Sequence, residues 1–361
     1  MKLCLIYGSD SVHVHRWSRW FARRGHTVYL ITGGTTKIEG VTLCHLQKKK
    51  SVVNVFLRIF KTMRLIRILH PDVVHAHYAC SVETLAAALS GFHPFVVSAW
   101  GSDIARDPEK SIVLKMLVKF VLQHADIVHT GDEFGKKRLR QLGCDERKII
   151  IQPWGVEVEL FCQKIPSKKI AKYVILNANK WEPEHHVDVL IKAVSQVVKE
   201  ITDITCVLLG GGSQEGELKV LAKTLGIEHH IVFIRRIPHE EMPQYFNNTD
   251  ILVDTDIIGN NSGAGIGVTN MEAMVCGVPI LLSEREYLRN VGKSLLDESW
   301  YCSLIYQPGD SKDLSKKILE LLRDDSLRKK ISEQEKKIAH EIGNWNKNME
   351  KMEQIMLDQR L

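Results

Sequence analysis

The sequence predicts an α/β fold made of two doubly wound, Rossmann-like domains. Short apolar runs alternate with helical patterns along the 361-residue chain, which is typical of parallel strands joined by helices. The chain is long enough for two domains that each bury a core. A polar, lysine-rich stretch that ends at Lys172 separates two similar series of strands and helices. We therefore expect the two domains to face a central cleft, because ligands of such sheets bind beyond the carboxyl ends of the strands.

The N-terminal domain is predicted to span residues 1–160. Its apolar runs predict strands at Leu3–Tyr7, Thr27–Thr32, Val73–Ala76, Phe95–Ala99, Ile127–Thr130 and Ile149–Ile151. Helical patterns lie between these strands at Val14–Arg24, Val52–Leu69, Val82–Leu89, Lys110–His124 and Phe134–Leu142. Pro153-Trp154-Gly155 follows the last strand and marks the approach to the domain boundary.

The same alternation predicts a second domain over residues 161–340. Its strands are expected at Tyr173–Ala178, Thr205–Leu209, Ile231–Ile234, Ile251–Asp254, Pro279–Leu282 and Cys302–Tyr306. Its helices are expected at Val187–Lys199, Glu215–Leu225, Met242–Asn247, Thr269–Cys276 and Leu314–Leu322. A charged helical pattern runs from Leu327 to Leu361, and we expect its last part, residues 341–361, to pack back toward the N-terminal domain.

Composition and charge narrow the class of protein. Apolar residues make up 44% of the chain and charged residues 25%, which is typical of a soluble globular protein, and no apolar run is long enough to predict a membrane span. Eight cysteines form no CxxC pair, so we expect buried thiols in a reducing cytoplasm. Residues 1–160 carry 23 Lys and Arg against 14 Asp and Glu, so the positive charge lies in the first half.

A basic first half favours an anionic partner, such as a phospholipid surface, a lipid phosphate or an acidic glycan. Residues 48–69 begin with three lysines and continue with Arg58, Lys61, Arg64 and Arg67 among apolar residues. This basic amphipathic pattern suits a helix that lies on an anionic membrane, so we expect a cytoplasmic protein that can associate with the cytoplasmic face of a membrane. A helix packed on the sheet with a basic solvent face explains the same residues. Nucleic acid is not expected as a partner, since the basic half lacks a recognition motif.

Two common Rossmann functions are excluded by the loops after the first strands. A dinucleotide-binding loop needs three spaced glycines, but Gly8-Ser9-Asp10-Ser11 has one. The second strand ends at Thr32, which cannot bind a ribose as a carboxylate does. The chain also lacks the glycine and lysine pattern of a P-loop.

The most informative segment runs from Gly263 to Glu272. Alternating glycines allow close approach of a ligand to the backbone of Gly265, Ile266, Gly267 and Val268, and Thr269 is expected to cap the helix that follows. A diphosphate at that helix start would meet unpaired N–H groups and the positive end of the helix dipole. Glu272, one turn in, can accept hydrogen bonds from two adjacent ribose hydroxyls. The alternative is a glycine-rich loop with a solvated glutamate.

This segment resembles the donor loop of the family-four retaining glycosyltransferases, which have the GT-B fold. Their pattern is Glu-x7-Glu followed by Ala-Met/Leu-Ala-x-Gly-x-Pro-Val, and residues 272–280 match its second half. Ala264 stands where the family has the first Glu, which helps to hold the donor hexose. The resemblance thus implies nucleotide binding through Glu272, with Asp256, Asn260 and Asn261 as polar candidates for the sugar.

Further motifs resemble the family in the right order along the chain. They are His13-Val14-His15-Arg16-Trp17, His70-Pro71-Asp72-Val73-Val74-His75-Ala76-His77, Ser98-Ala99-Trp100-Gly101-Ser102-Asp103, Ile151-Gln152-Pro153-Trp154-Gly155-Val156-Glu157, Asn179–Asp188 and Leu209-Gly210-Gly211-Gly212-Ser213. In the fifth motif Lys180 and His185 fall on the family's Arg and Lys of the phosphate site. In the third, Trp100 replaces a common active-site histidine. Each motif is weak alone, but the series is specific.

The resemblance implies a role for each candidate residue. Lys180 is expected to neutralise the departing diphosphate, whereas His185 is as easily a solvated loop histidine. Arg236 and Ile237 lie where the family holds the base, and a surface arginine explains Arg236 equally well.

On the N-terminal side, His13 and Arg16 follow the first strand and are expected to contact phosphate or acceptor; otherwise they form a polar first helical turn. Trp100, Gly101, Asp103 and His77 are expected on the acceptor or sugar side. Asp103 as a helix cap and His77 as a hydrogen-bonded core residue are the alternatives.

The function implied is retaining transfer of a hexose from a UDP- or GDP-linked donor to a glycan or lipid-linked acceptor, in polysaccharide or glycolipid synthesis. The leaving diphosphate would take the acceptor's proton, with no metal and no other cofactor. Two alternatives stay open. An epimerase of the same fold would bind the same donor, and a non-catalytic donor-binding subunit would tolerate the changes at Ala264 and Trp100.

Overall fold

A computed structural model gives the structure of this protein and describes residues 1–47, 51–164, 169–256, 267–284 and 304–359. Contacts between residues divide the chain into two compact units. The first unit contains residues 1–153 and the described residues from Lys347 onward, and the second contains the described residues from Trp154 to Asn346. Each unit is built on one parallel sheet, so the predicted fold class of two doubly wound α/β domains is confirmed.

The first unit has a seven-stranded parallel sheet in the order β3-β2-β1-β4-β5-β6-β7. Its strands are β1 (Lys2–Tyr7), β2 (Thr27–Thr32), β3 (Val41–His45), β4 (Val73–His77), β5 (Phe95–Ser98), β6 (Ile127–Thr130) and β7 (Ile149–Ile151). Its helices up to residue 141 are α1 (Val12–Arg23), α2 (Val52–Leu69), α3 (Val82–Leu89), α4 (Ser102–Ala105), α5 (Asp107–Lys110), α6 (Ile112–His124) and α7 (Glu133–Gln141). The central strands are buried, since helices cover both faces of such a sheet.

The second unit has a six-stranded parallel sheet in the order β10-β9-β8-β11-β12-β13. Its strands are β8 (Tyr173–Asn177), β9 (Ile204–Gly210), β10 (Ile231–Arg235), β11 (Ile251–Asp254), β12 (Ile280–Ser283) and β13 (Ile305–Tyr306). Its helices are α8 (Val187–Val197), α9 (Glu215–Thr224), α10 (Met242–Asn247), α11 (Val268–Val275), α12 (Ser311–Arg323) and α13 (Asp325–Ile342). The carboxyl ends of β8 and β11 are neighbours, which brings the loops after these strands together.

Helix α14 (Trp345–Asp358) follows α13, and the charged tail is therefore two helices with a break at Gly343-Asn344. Within the first unit, the Glu353 carboxylate of α14 accepts a hydrogen bond from Arg24 Nη2 at 2.9 Å and contacts the His26 ring. These contacts tie the end of the chain to the turn between α1 and β2.

The structure differs from the sequence prediction at an unpredicted edge strand and at the start of one helix. Strand β3 was not predicted, because Val41–His45 mixes polar with apolar residues and is only partly buried at the sheet edge. The single helix predicted over 110–124 begins instead at Ile112, since Ser111 is extended and its side chain accepts a hydrogen bond from Leu114 N. Cys302, placed in the last strand, lies outside the described residues. In the described part of the chain, no helix is long and apolar enough to cross a bilayer.

Candidate active site

On the donor side, the structure describes Gly267, Val268, Thr269 and Glu272 of the predicted loop. Gly265, Ile266, Ala264, Asn260 and Asn261 lie outside the described residues. Helix α11 begins at Val268, and Gly267 already has the extended backbone of an N-cap, with φ −60° and ψ 153°. Thr269 is therefore the second helical residue, and the prediction that it caps the helix was wrong. The helix ends at Val275, and Gly277, which follows the C-cap Cys276, has a φ of +78° that favours glycine.

Glu272 lies on the inner side of α11 and is almost fully buried. Its Oε1 is 2.8 Å from Nε2 of His239, in the one-turn 3₁₀ helix that precedes α10. The ring of Phe161 packs against His239 with 5.1 Å between ring centroids. His239 was not predicted, because a histidine in the polar run Pro238-His239-Glu240-Glu241 does not indicate a partner 33 residues away.

A buried hydrogen-bond network joins the first turn of α11 to the ends of β8 and β11. Asn270 Nδ2 donates to Asp254 Oδ2 at 2.7 Å, and Asn179 Nδ2 donates to Asp254 Oδ1 at 2.9 Å. Asn177 Nδ2 donates to Asn179 Oδ1 at 2.7 Å. The network fixes the start of α11 over the carboxyl ends of the two strands. This network was not predicted, although polar residues at the ends of two apolar strands could have indicated it.

Lys180 lies in the loop between β8 and α8 and is exposed. The glycine turn after β9 packs tightly against this loop: a Cβ at Gly212 would lie 2.2 Å from Trp181 O, and one at Gly210 would lie 2.5 Å from Asn179 O. Trp181 N donates to Gly211 O at 3.0 Å, and the Trp181 side chain is fully buried. The backbone that carries Lys180 is thus held on both sides of the lysine.

His185, the other predicted residue of the phosphate site, contacts the segment that follows β11. His185 Nδ1 lies 3.7 Å from Asp256 Oδ2, and His185 O accepts a hydrogen bond from Thr255 Oγ1 at 2.7 Å. Hydrogen bonds from Ser213, together with the charges of His185 and Lys180, hold the pKa of Glu182 below its usual value. Glu182 was not among the predicted site residues, although it lies between Lys180 and His185 in the sequence.

Arg236 and Ile237 follow β10 in the second unit. Arg236 is exposed, whereas Ile237 is partly buried and packs against the apolar cluster under α11. Ile237 therefore lies on the same side of the sheet as Glu272, and the Arg236 side chain is free to extend into solvent.

On the acceptor side, the structure brings three of the predicted residues of the first unit together. The ring centroids of His13 and Trp100 are 5.0 Å apart, and those of Trp100 and His77 are 5.8 Å apart. His13 and Trp100 are partly buried, and His77 is fully buried. Arg16 lies one turn beyond His13 and is also buried. The first turn of α1 and the loop after β5 thus meet over the end of β4.

Comparison with known protein families identifies the class. The family model described as Glycosyl transferases group 1 matches residues 163–338, and the model described as Glycosyl transferase 4-like matches residues 2–131. The chain belongs to the group 1 glycosyl transferases. The resemblance that the motifs carry is therefore confirmed.

Two relatives of this glycosyltransferase are named as mannosyltransferases. The GDP-mannose-dependent alpha-(1-6)-phosphatidylinositol monomannoside mannosyltransferase of Mycolicibacterium smegmatis is 30% identical over 113 residues, which cover 30% of this chain and 29% of the relative. The phosphatidyl-myo-inositol mannosyltransferase of Mycobacterium leprae is 22% identical over 262 residues, which cover 72% of this chain and 66% of the relative. The chain thus spans less than two thirds of these relatives' own length.

A solved structure with a similar fold is that of Anabaena Alr3699/HepE in complex with UDP-glucose. It matches the glycosyltransferase with a TM-score of 0.78 at 16% identity, covering 99% of this chain and 100% of that chain. The fold is GT-B, as the motifs implied.

Beneath His77, the glycosyltransferase has a chain of buried hydrogen bonds that runs from β4 through β5 and β6 to the residue after β7. His129 Nε2 must donate to Gln152 O, 2.7 Å away, because a carbonyl only accepts. His129 Nδ1 then accepts from Ser98 Oγ at 2.8 Å, and Ser98 Oγ accepts from His75 Nε2 at 2.7 Å. His75 therefore differs from His77, whose ring nitrogens have no hydrogen-bond partner among the described residues.

These buried rings are held in the neutral form. Burial, together with the neighbouring His129 and His13, lowers the pKa of His77 to about 3. Burial lowers the pKa of His129 to about 4, although its hydrogen bond to Gln152 opposes the shift. The pKa of His75 is lowered in the same direction by burial and by both other histidines. His77 thus lies among apolar and aromatic neighbours without the hydrogen bonds expected of a core histidine.

Gly101 and Asp103 shape the loop that carries Trp100. Gly101 has a φ of +106°, a conformation that favours glycine. Asp103 is fully buried, and its two oxygens accept hydrogen bonds from Ala79 N at 2.6 Å and Trp100 N at 2.9 Å. Burial raises its pKa to about 7, against the lowering effect of these backbone hydrogen bonds. Asp103 thus joins two loops through its hydrogen bonds, and this geometry favours a structural role over direct contact with an acceptor.

Proposed function

We propose that this glycosyltransferase moves a hexose, with retention of anomeric configuration, from a UDP- or GDP-linked sugar to a glycan or lipid-linked acceptor in cell-surface polysaccharide or glycolipid synthesis. The observation that carries the proposal is the buried Glu272 carboxylate one turn into α11. The first N–H groups of a helix have no acceptor within the helix, so the start of α11 suits a diphosphate, and Glu272 then suits the ribose of the same nucleotide. Relatives named as mannosyltransferases of phosphatidylinositol glycolipids, and a similar fold solved with UDP-glucose, support this donor and acceptor class.

The proposed mechanism relies on charge stabilisation by protein groups rather than by a metal ion. Lys180 neutralises the diphosphate as it departs, and the fixed dipole of α11 assists it. The leaving oxygen takes the proton of the acceptor hydroxyl, so the new bond forms on the face from which the diphosphate leaves. His13 and Trp100, which lie together in the first unit, are assigned to the sugar and acceptor. Arg16 is assigned to phosphate.

A panel of UDP-, GDP- and ADP-sugars tests the donor class. We expect one base to raise the melting temperature of the purified protein, because a ligand that binds only the folded state stabilises it. Transfer to glycan and lipid-linked acceptors, followed by NMR of the anomeric proton of the product, then tests retention. Epimer formation from the donor alone would instead identify an epimerase. Donor binding without transfer or hydrolysis would identify a binding subunit.

We also propose that the acceptor is reached at an anionic membrane surface. In α2, Phe56 and Phe60 are 67% and 66% exposed, and in α6 Ile112, Val113 and Met116 are also exposed. Helix α2 follows β3, and α6 follows the segment after β5 that carries Trp100, so both helices start on the side of the sheet where the strands end. Exposed apolar residues of this size beside basic ones suit an interfacial site.

The charges of α2 are fewer than the sequence indicates. Arg58, counted among its basic residues, is largely buried, and its Nε donates to the buried Glu83 carboxylate at 2.8 Å. Lys61, Arg64 and Arg67 are exposed. Lys48–Lys50 lie outside the described residues. The membrane-facing charge that the described part of α2 offers is therefore carried by three residues.

Co-sedimentation with phosphatidylglycerol and phosphatidylcholine vesicles tests this surface. We expect binding to the anionic vesicles, weakened by salt and by Phe56→Ser with Phe60→Ser. Val220→Ser, which removes an apolar side chain of equal exposure from α9, serves as the control. Equal binding by both variants would remove α2 from the proposal.

A further inference from the structure

The pair formed by His239 and Glu272 has a role that the donor motif does not describe. Glu272 belongs to α11, whereas His239 belongs to the 3₁₀ turn after β10, 33 residues earlier in the chain. Both side chains are buried to more than four-fifths, and Nε2 meets Oε1 at 2.8 Å. The two elements are thus joined at the carboxylate that the proposed function assigns to the nucleotide.

A buried carboxylate needs donors that fix its orientation. Charge is costly in a poorly hydrated site unless hydrogen bonds satisfy it, and a glutamate side chain has rotamer freedom to lose. The ring of His239 is itself restrained, since it packs against the fully buried Phe161. A rigid donor placed against one oxygen therefore selects one orientation of the Glu272 carboxylate.

We propose that His239 is a positioning residue that holds Glu272 in the orientation that binds the vicinal hydroxyls of the nucleotide ribose. The inference rests on the proposed function. A carboxylate has two oxygens and about four acceptor positions, so His239 and two ribose hydroxyls can donate to it together. His239 in this scheme does not touch the reacting atoms. It acts on donor affinity through Glu272, and it has no effect on the chemical step.

Nucleotides with and without the 2′-hydroxyl separate this role from a merely structural one. We would measure the Kd of UDP, GDP, dUDP and dGDP by calorimetry for the wild type and for His239→Ala, His239→Asn and His239→Gln. Gln can place its amide N–H near the position of Nε2, whereas Asn is too short. We expect wild type and His239→Gln to bind the ribonucleotide roughly tenfold more tightly than the deoxynucleotide. His239→Ala and His239→Asn should lose most of that ratio.

In steady-state kinetics, we expect His239→Ala and His239→Asn to raise the KM for the donor and to leave kcat unchanged. His229→Ala is the matched control, because His229 is an exposed histidine in another 3₁₀ turn of the same unit. It should leave both the Kd ratio and the KM unchanged. Circular dichroism and a melting curve show whether each variant folds. If His239→Ala does not fold, the comparison of His239→Gln with His239→Asn still tests the proposal.

Glu272→Gln distinguishes failure of the inference from failure of the proposed function. Suppose that the wild type prefers the ribonucleotide, that Glu272→Gln loses this preference and that all His239 variants keep it. The positioning role is then wrong, and the assignment of Glu272 to the ribose stands. If the wild type binds neither nucleotide, or if Glu272→Gln leaves the preference intact, then the ribose assignment of Glu272 fails and the inference fails with it. An equal loss of affinity for both nucleotides in His239→Ala would also overturn the positioning role.

Discussion

We expect the first unit to lose stability steeply as the pH falls from 7 to 5, because it buries three neutral histidines. Burial lowers the pKa of His77 to about 3 and that of His129 to about 4, and it lowers the pKa of His75 in the same direction. In the unfolded chain these rings titrate near 6.5. Below that pH the unfolded state binds protons that the folded state does not. The stability is therefore complete above the unfolded pKa and is lost as the pH falls toward the folded pKa.

The magnitude follows from the two pKa values of each ring. Between pH 7 and pH 5, a histidine that titrates near 6.5 when unfolded and near 3 to 4 when folded costs the folded state roughly 2 kcal/mol. His77 and His129 together account for about 4 kcal/mol, and His75 adds to the loss. A typical domain has only about 5 to 15 kcal/mol of stability, so we expect the first unit to be close to unfolding at pH 5.

Native-state hydrogen exchange of amides in β4, β5 and β6, corrected for the pH dependence of intrinsic exchange, measures this stability for the first unit alone. His77→Leu removes one titrating ring and breaks no hydrogen bond to the described residues, so it should reduce the loss between pH 7 and pH 5 by roughly 2 kcal/mol. His124→Gln, at an exposed position on α6, should leave the loss unchanged. Opening free energies that do not vary over this pH range, or an equal slope in His77→Leu, would refute the reasoning.

Three further predictions follow from single contacts. Gly212→Ala should displace the loop that carries Lys180, because its Cβ would lie 2.2 Å from Trp181 O. We expect urea unfolding to show a loss of about 1 to 3 kcal/mol of stability. Gly211→Ala should have only a small effect on stability, because its Cβ would have no atom within 4 Å. Asp103→Asn should cost about 1 to 3 kcal/mol, since an amide has one oxygen where two backbone N–H groups need acceptors; unchanged melting would contradict this. Lys180→Ala should lower turnover about a hundredfold with circular dichroism unchanged, and near-normal turnover would remove Lys180 from the mechanism.

Much of the fold could be predicted because apolar periodicity is a local property of the chain. The helices Val52–Leu69, Val82–Leu89 and Met242–Asn247 begin and end as predicted, and each predicted strand that is fully described lies within two residues of its observed bounds. Strand β3 was missed because an edge strand is buried on fewer sides and so needs fewer apolar residues. Its residues pair with β2 residues 13 positions earlier in the chain, which periodicity does not report.

The candidate site could be predicted only where its chemistry lies within one motif. Glu272 and the start of α11 fall in a single run of residues, so the sequence carries both. His239 reaches Glu272 across 33 positions, and Asn270 reaches Asp254 across 16. Such pairs form because parallel strands place the loops after β8, β10 and β11 at one edge of a sheet. The residue types were visible in the sequence, but the contacts between them depend on the tertiary fold.

The surroundings of Trp100 bear on its replacement of the histidine that is common at this position in the family. His75 and His77 are two residues apart on β4 and therefore lie on one face of the sheet, with their ring centroids 4.2 Å apart. The sequence did not indicate that His129 and the buried Trp17 would surround them. In such poorly hydrated surroundings the pKa of His77 falls to about 3, so a further imidazole at position 100 would also be driven toward its neutral form. An indole at position 100 keeps an aromatic face beside the partly buried His13 without adding a titrating group.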